Sequence, residues 1–210
     1  MPAFDLFTIG HSNLPAERFV AILRTAGVNT IAEIRSTPMS RFCPWFSAKN
    51  LEPLLVRQEI AYLPYGDVFG GRPKSPALYR DGVADFDAMA RQPEFVAGLE
   101  RLHADAARCR VCLMCAERDP LDCHRCLLVG RALAARGLRI GHILFDGSIE
   151  PHEATERRLL AVDAEGKGTP DLFVTGQHEL IAAAYRRRAQ AVAYRAKAVS
   201  KGTTPRKAKR

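Results

Sequence analysis

The sequence predicts an α/β protein: a three-layer, mostly parallel sheet with helices on both faces, plus a basic helical extension toward the C-terminal end. Three observations predict it. Short runs at Phe4 to Gly10, Thr30 to Arg35, Arg110 to Cys115 and Ile140 to Phe145 are apolar with little alternation, as strands covered on both faces are. Segments of helical period separate them. The chain also opens as strand, helix, strand, the unit from which parallel sheets are built.

After the first strand, a helix is expected from about Pro15 to Ala26, because Phe19, Ile22, Leu23 and Ala26 fall at i, i+3, i+4 and i+7 and Gly27 stops it. The second strand, Thr30 to Arg35, is followed by turn-rich STPMSRFCP, a helix over Ala48 to Gln58 and a strand at Ile60 to Pro64. Tyr65 to Gly82 reads as a long irregular stretch, and loops of that length in a compact domain tend to be functional or disordered. A helix over Pro93 to Ala107 leads into the VCLMC strand. Asp119 as N-cap and Pro120 as first helical residue then predict one helix to Arg136, stopped by Gly137. A last strand at Ile140 to Phe145 and a closing helix over Pro151 to Ala161 complete the domain, which is expected to span 1–162. Composition marks 163–170 (DAEGKGTP) as a linker, 171–199 as a helical extension and 200–210 as a basic disordered tail.

With 210 residues, 47% of them apolar, the chain can bury a sizeable core. No run of about 18 apolar residues occurs, and MPAFDLFTIGHSN has neither a basic n-region nor a long apolar h-region, so membrane partners are excluded and the expected address is cytoplasmic. The six cysteines are accordingly expected to be core, ligand or reactive thiols rather than disulfides. The formal charge of +8 is uneven: Arg186 to Arg210 holds ten Lys/Arg and no acid, which leaves 21 bases against 23 acids elsewhere.

Ligands of open α/β sheets bind beyond the carboxyl ends of the strands. Those ends carry His11, Ser12 and Asn13, then Arg35, Ser36 and Arg41, then Glu117, Arg118, Cys123, His124 and Arg125. The segment Cys115 to Arg125 is the most specific. Cys123 near a helix N-terminus, with Arg118, His124 and Arg125 beside it, is a candidate nucleophile. Cys112-x2-Cys115 and Cys123-x2-Cys126 resemble two zinc knuckles, but residues three apart on a strand point to opposite faces, so a site for zinc or another divalent metal is expected to use only Cys115, Cys123 and His124. Cys109, Cys112 and Cys126 read as packing. Arg35, Arg41, Arg72, Arg118 and Arg125 imply an anionic ligand; the plainer reading is that some of them tie down the glycine-rich loop through backbone carbonyls. His11 reads either as acid/base or as a cap.

Several of these segments fall into a known pattern. Thr8-Ile-Gly-His-Ser12, Ile34-Arg-Ser-Thr-Pro38 with Ser40-Arg41, Phe69-Gly-Gly-Arg72, Cys115-Ala-Glu-Arg-x-Pro-x-x-Cys-His-Arg125, and Gly141-His-Ile143 before Asp146-Gly147 and His152 occur in order, and over about residues 4 to 155 the chain resembles the DUF488 family. The resemblance implies a compact α/β fold with a shared polar site and carries no named activity. Glu33 departs from the family's usual aspartate, which places its carboxylate one methylene farther out and ranks it below Glu117.

Three functions are weighed. The first is an enzyme binding a nucleotide or phosphorylated metabolite on Ser12, Arg35, Arg41, Arg72, Arg118 and Arg125, with Glu117 and His11 as acid/base groups and Cys123 or Cys115 as nucleophile or metal ligand. The second is nucleic-acid binding or processing through residues 186–210. The third is a structural metal-binding module, disfavoured by a core large enough to fold unaided.

Overall fold

The computed structural model describes residues 4–167 and 176–196. Its strands are, in chain order, β1 (Leu6–Gly10), β2 (Thr30–Glu33), β3 (Ala61–Pro64), β4 (Tyr79–Arg80), β5 (Val83–Ala84), β6 (Val111–Cys115), β7 (Ile140–Ile143) and β8 (Ile149–Pro151). Six of them form one sheet in the order β3-β2-β6-β1-β7-β8, parallel except for β8, and β4 and β5 form a separate small hairpin. Strand β6 enters between β2 and β1, aligning Cys115 with Gly10 on one side and Met114 with Glu33 on the other. Three strand ends thereby meet at one edge, the place where such sheets bind ligands.

The α-helices are α1 (Ala16–Thr25), α2 (Ala48–Val56), α3 (Gly66–Phe69), α4 (Phe86–Ala90), α5 (Pro93–Ala106), α6 (Arg131–Ala134), α7 (His152–Lys167) and α8 (Gln177–Val192). Period-two alternation divides the strands between two buried clusters. Cys112 and Met114 of β6 pack with Phe19 and Leu23 of α1 and Leu51 and Leu55 of α2. Val111, Leu113 and Cys115 pack on the other face with Phe95 and Leu99 of α5, Leu133 of α6, Leu159 of α7 and Tyr185 of α8. Helices therefore cover both faces, and the strands read as continuous apolar runs because they have no solvent side. Among the described residues, no helix is long and apolar enough to cross a membrane.

Four elements differ from the sequence expectation. The helix expected from Pro120 to Arg136 is broken. Asp119 does cap it, accepting from Leu121 N at 2.8 Å, but only a 3-10 turn over Pro120–Asp122 follows before Cys123 turns extended. A wider π-helical segment, Arg125–Gly130, then runs into α6. The stretch after Tyr65 contains α3 and half of the β4–β5 hairpin. Helix α7 continues past Ala161 to Lys167, while 168–170 lie outside the described residues. Strand β8, unforeseen, is too short to show a pattern.

Helix α8 docks through buried Ala184 and Tyr185, and Arg187 grips Asp163 through two bonds of 2.5 and 2.7 Å. Beyond it the backbone joins the small hairpin: Ala84 N donates to Tyr194 O at 2.9 Å and Ala196 N to Gly82 O at 2.8 Å. The tail expected over 200–210 lies outside the described residues.

One buried polar chain crosses the molecule. Thr8 Oγ1 meets His142 Nδ1 at 2.7 Å, His142 Nε2 meets His152 Nδ1 at 2.9 Å, His152 Nε2 meets Tyr185 Oη at 3.1 Å, and Tyr185 donates to Glu156 at 3.0 Å. Each member needs one donor and one acceptor, so a single polarity from Thr8 to Glu156 satisfies them all with both imidazoles neutral.

Candidate functional site

The floor of the site is set by a close approach of backbones. A Cβ on Gly10 would lie 1.7 Å from the Glu117 carbonyl oxygen, so only glycine lets the end of β1 touch the loop after β6. The next residues lock on: His11 N donates to Cys115 O and Ser12 N to Ala116 O, each at 2.9 Å, with Ser12 in the left-handed region at φ 45°. Ser12 Oγ contacts Asn13 at 3.4 Å and does not line the cavity that opens at this edge.

His11 and Arg35 form a buried pair. The imidazole stacks on Phe46 at 4.2 Å between centroids, donates from Nδ1 to its neighbour's carbonyl at 2.9 Å, and presents Nε2 to Arg35 Nη1 at 2.9 Å. A permanently charged guanidinium can only donate, so Nε2 is unprotonated. Burial and then the Arg35 charge push His11 down to about 4. Arg35 also donates to both Glu33 oxygens, at 2.8 and 2.5 Å, and to Phe46 O at 2.6 Å. Glu33 thus fixes Arg35 and is itself 1% exposed, turned away from the cavity.

Beside this pair, four chemistry-bearing groups converge. Glu117 Oε2 lies 2.9 Å from both Cys115 Sγ and Cys123 Sγ. His124 Nδ1 lies 3.6 Å from Cys115 Sγ and 3.9 Å from Cys123 Sγ, while its Nε2 donates to Ile34 O at 3.0 Å and so leaves the Nδ1 lone pair facing the sulfurs. All four ligand atoms fall within 4.8 Å of one another. Burial raises Cys115, and the neighbouring Cys123 raises it further. Burial opposes ionisation of Cys123 too, yet the Cys115 hydrogen bond and the Arg125 and His124 charges carry it well below the usual thiol range. Glu117 is raised by burial and by Cys123; His124 is raised by Cys123 against its burial. Three acids at contact distance cannot all ionise unless cations compensate them.

A cavity of about 540 Å³ opens over these groups, lined by His11, Arg35, Arg41, Arg72, Cys115, Glu117 and His124 among others. The structure thus brings together three of the five arginines singled out in the sequence. Arg125 is fully buried and donates to the carbonyls of Glu117 at 2.6 Å and Arg118 at 3.0 Å, tying the loop after β6 rather than the glycine-rich one. Arg118 does not line the cavity; it stacks over Phe145 at 4.0 Å in an adjoining cleft that also holds Asp146 and Arg158 and shares Glu117 and Asp122 with the cavity. Cys123 is 1% exposed and stands behind Cys115, which is the thiol that reaches the cavity. Cys112 and Cys126 are packed in the core, on opposite faces.

Sequence reasoning placed Ser36 at a strand end without a role, and missed Phe42 and Tyr194. Ser36 Oγ accepts from Arg72 N at 2.9 Å and so places the Phe69-Gly-Gly-Arg72 loop at the rim. Phe42 stood beside Arg41 in a turn, where nothing distinguishes a rim aromatic from a core one. Tyr194 is 69 residues past Arg125, and only the pairing of its backbone with the hairpin brings it to the cavity.

The fold and this edge define a doubly wound α/β protein with a cysteine, histidine and carboxylate cluster where its parallel strands end. Residues 15–132 match the model of a domain of unknown function, DUF488, and the chain belongs to that family. No curated protein and no solved structure matches it.

Proposed function

We propose that the protein is an enzyme acting on an anionic substrate, a nucleotide or phosphorylated metabolite, in the strand-end cavity, with a divalent metal ion at the cavity floor. The observation that carries this is the single carboxylate oxygen of Glu117 at 2.9 Å from two sulfurs, with His124 Nδ1 at 3.6 and 3.9 Å from the same sulfurs. Cys115, Cys123 and His124 are a three-ligand set suited to zinc, and a carbonyl holding the far nitrogen of a ligand histidine is the usual outer support. Two thiolates and a carboxylate opposed by a divalent ion and the buried Arg125 come to zero net charge. Zinc held there would supply a Lewis acid or an activated water. Glu117, which lines the cavity beside these groups, carries protons to and from the substrate. Arg41 and Arg72 receive the anion, and His11 keeps Arg35 aimed.

A second reading dispenses with metal and makes the thiols react directly. The lowered Cys123 beside a raised His124 favours it; the burial of Cys123 behind Cys115 disfavours it. Elemental analysis of purified protein and of a Cys123→Ser variant separates the two. About one zinc per chain in the parent and little in the variant is expected. No metal in either, with fast alkylation of Cys115 or Cys123 near neutral pH, would replace the metal reading by the thiol one.

A further inference from the structure

We infer that the substrate presented to this cavity is one nucleotide of a single-stranded nucleic acid rather than a free small molecule. The inference rests on the anion-binding reading above and narrows it. Three features of the cavity mouth carry it.

The first is unpaired charge. Several arginines have carboxylate partners, as Arg35 of this same cavity has Glu33, Arg131 has Asp87, and Arg158 has Asp119 and Glu150. Arg41 and Arg72 line the mouth and, among the described residues, meet no carboxylate. Cations left unpaired at a cavity rim suit an anion that arrives from outside.

The second is aromatic surface at the same mouth. Phe42 is 90% exposed, Met39 beside it is 67% exposed, and no described ring or cation stacks on Phe42. Tyr194 lines the same cavity, its backbone fixed to the β4–β5 hairpin and its ring 4.8 Å from the Arg72 guanidinium. Bases stack on such faces whatever their identity, but only when unpaired, so a duplex is excluded unless the base leaves its stack.

The third is where the chain goes next. It leaves the described residues at Ala196, hydrogen-bonded to Gly82 beside this mouth, and residues 197–210 contain six Lys/Arg and no acid. A lone phosphate needs no cations beyond the cavity arginines. A basic run that starts at the rim matches a polyanion that continues past it.

Fluorescence anisotropy of the full chain with labelled 12-nucleotide DNA and RNA strands tests this, with the matching duplex and inorganic polyphosphate as competitors. Both single strands are expected to bind, and polyphosphate and duplex to compete poorly. Phe42→Ala should weaken binding about 5- to 150-fold, the worth of one stacked base. Arg41→Ala should weaken it too, and glutamine at all six basic positions of 197–210 should lower the salt slope by about 4. No binding to either strand at 50 mM salt overturns the inference. So does binding that is indifferent to Phe42→Ala and Arg41→Ala and fully displaced by polyphosphate, which would make it tail electrostatics alone. A preference for DNA over RNA, or the reverse, identifies the strand and upholds the inference. Metal content is read separately, so a metal-free protein that binds strands sinks the floor chemistry alone, and a zinc protein that ignores them sinks only this inference.

Discussion

Arg125 has no exposed surface, and a buried guanidinium is tolerated only where its donors are met. Two are met by the carbonyls of Glu117 and Arg118, the turn that aims the Glu117 carboxylate; Nε is the one buried side-chain nitrogen or oxygen among the described residues with no partner. Lysine offers no planar fork, so Arg125→Lys is expected to cost about 2–4 kcal/mol and to show as a lower urea midpoint. An unchanged midpoint would mean that the turn holds itself. Glu33→Gln removes the counter-charge of buried Arg35 and is expected to cost about 3–5 kcal/mol in the same assay. At this scale the sequence told which residue types gather at the strand ends, because each strand keeps the same residues at its carboxyl end whatever the strand order. It could not tell Arg125 from Arg41. Both are arginines in polar segments, and only the path of the backbone decides which one is sealed in and which one meets solvent.

The segment between β6 and β7 shows where elements escaped pattern reading. Asp119 and Pro120 are sound start signals and the apolar period of 126–133 is real, but the residues between do not continue one cylinder. Cys123 adopts φ −139°, ψ 140°, and its carbonyl accepts from Cys126 N at 3.1 Å and Leu127 N at 3.0 Å, starting a second helix with a wider turn. That wide turn brings Gly130 against Arg125: a Cβ there would lie 2.9 Å from the Arg125 carbonyl. Gly130→Ala must therefore push the turn apart and is expected to lower stability by about 1–3 kcal/mol, whereas alanine at an ordinary exposed helical glycine would raise it. A thermal melt decides between the two signs. The apolar pattern carries no mark of a π-turn, since one extra residue per turn merely rotates the buried stripe. The same wide turn lets Cys123 and His124 face Cys115 while Cys126 faces the core.

On the scale of the whole molecule, the histidine chain ties β1, β7, α7 and α8 together with both imidazoles neutral. Burial holds His142 and His152 below the usual imidazole value, and His11 is held at about 4. The unfolded chain therefore takes up protons first, near pH 6.5, and stability falls as pH drops from about 6.5 toward 4. His11 alone accounts for on the order of 3 kcal/mol of this loss. Urea midpoints at pH 7, 5 and 4 should fall steadily, well above the range where Asp5 and Asp119, both held below their ordinary value, begin to protonate. His124, held above its usual value, acts in the opposite sense, so the decisive case is a His124→Gln background, where a midpoint flat from pH 7 to 5 would contradict neutral burial of these rings. The α/β class and the covered sheet were legible because apolar runs of 4–6 residues have few other uses. The order of the strands was not, since it depends on which edges pair.

That order constrains how the protein is made. Strand β6 supplies the hydrogen bonds between β1 and β2, yet it leaves the ribosome about 80 residues after β2. Until then β1 and β2 have no strand to join them, and each holds apolar side chains for both faces of a sheet that does not yet exist. The emerging chain therefore cannot settle piece by piece; its centre is inserted late. A stalled chain whose emerged part ends before Val111 should be protease-sensitive and chaperone-bound, and one that has emerged from the exit tunnel past Ile143 should be resistant.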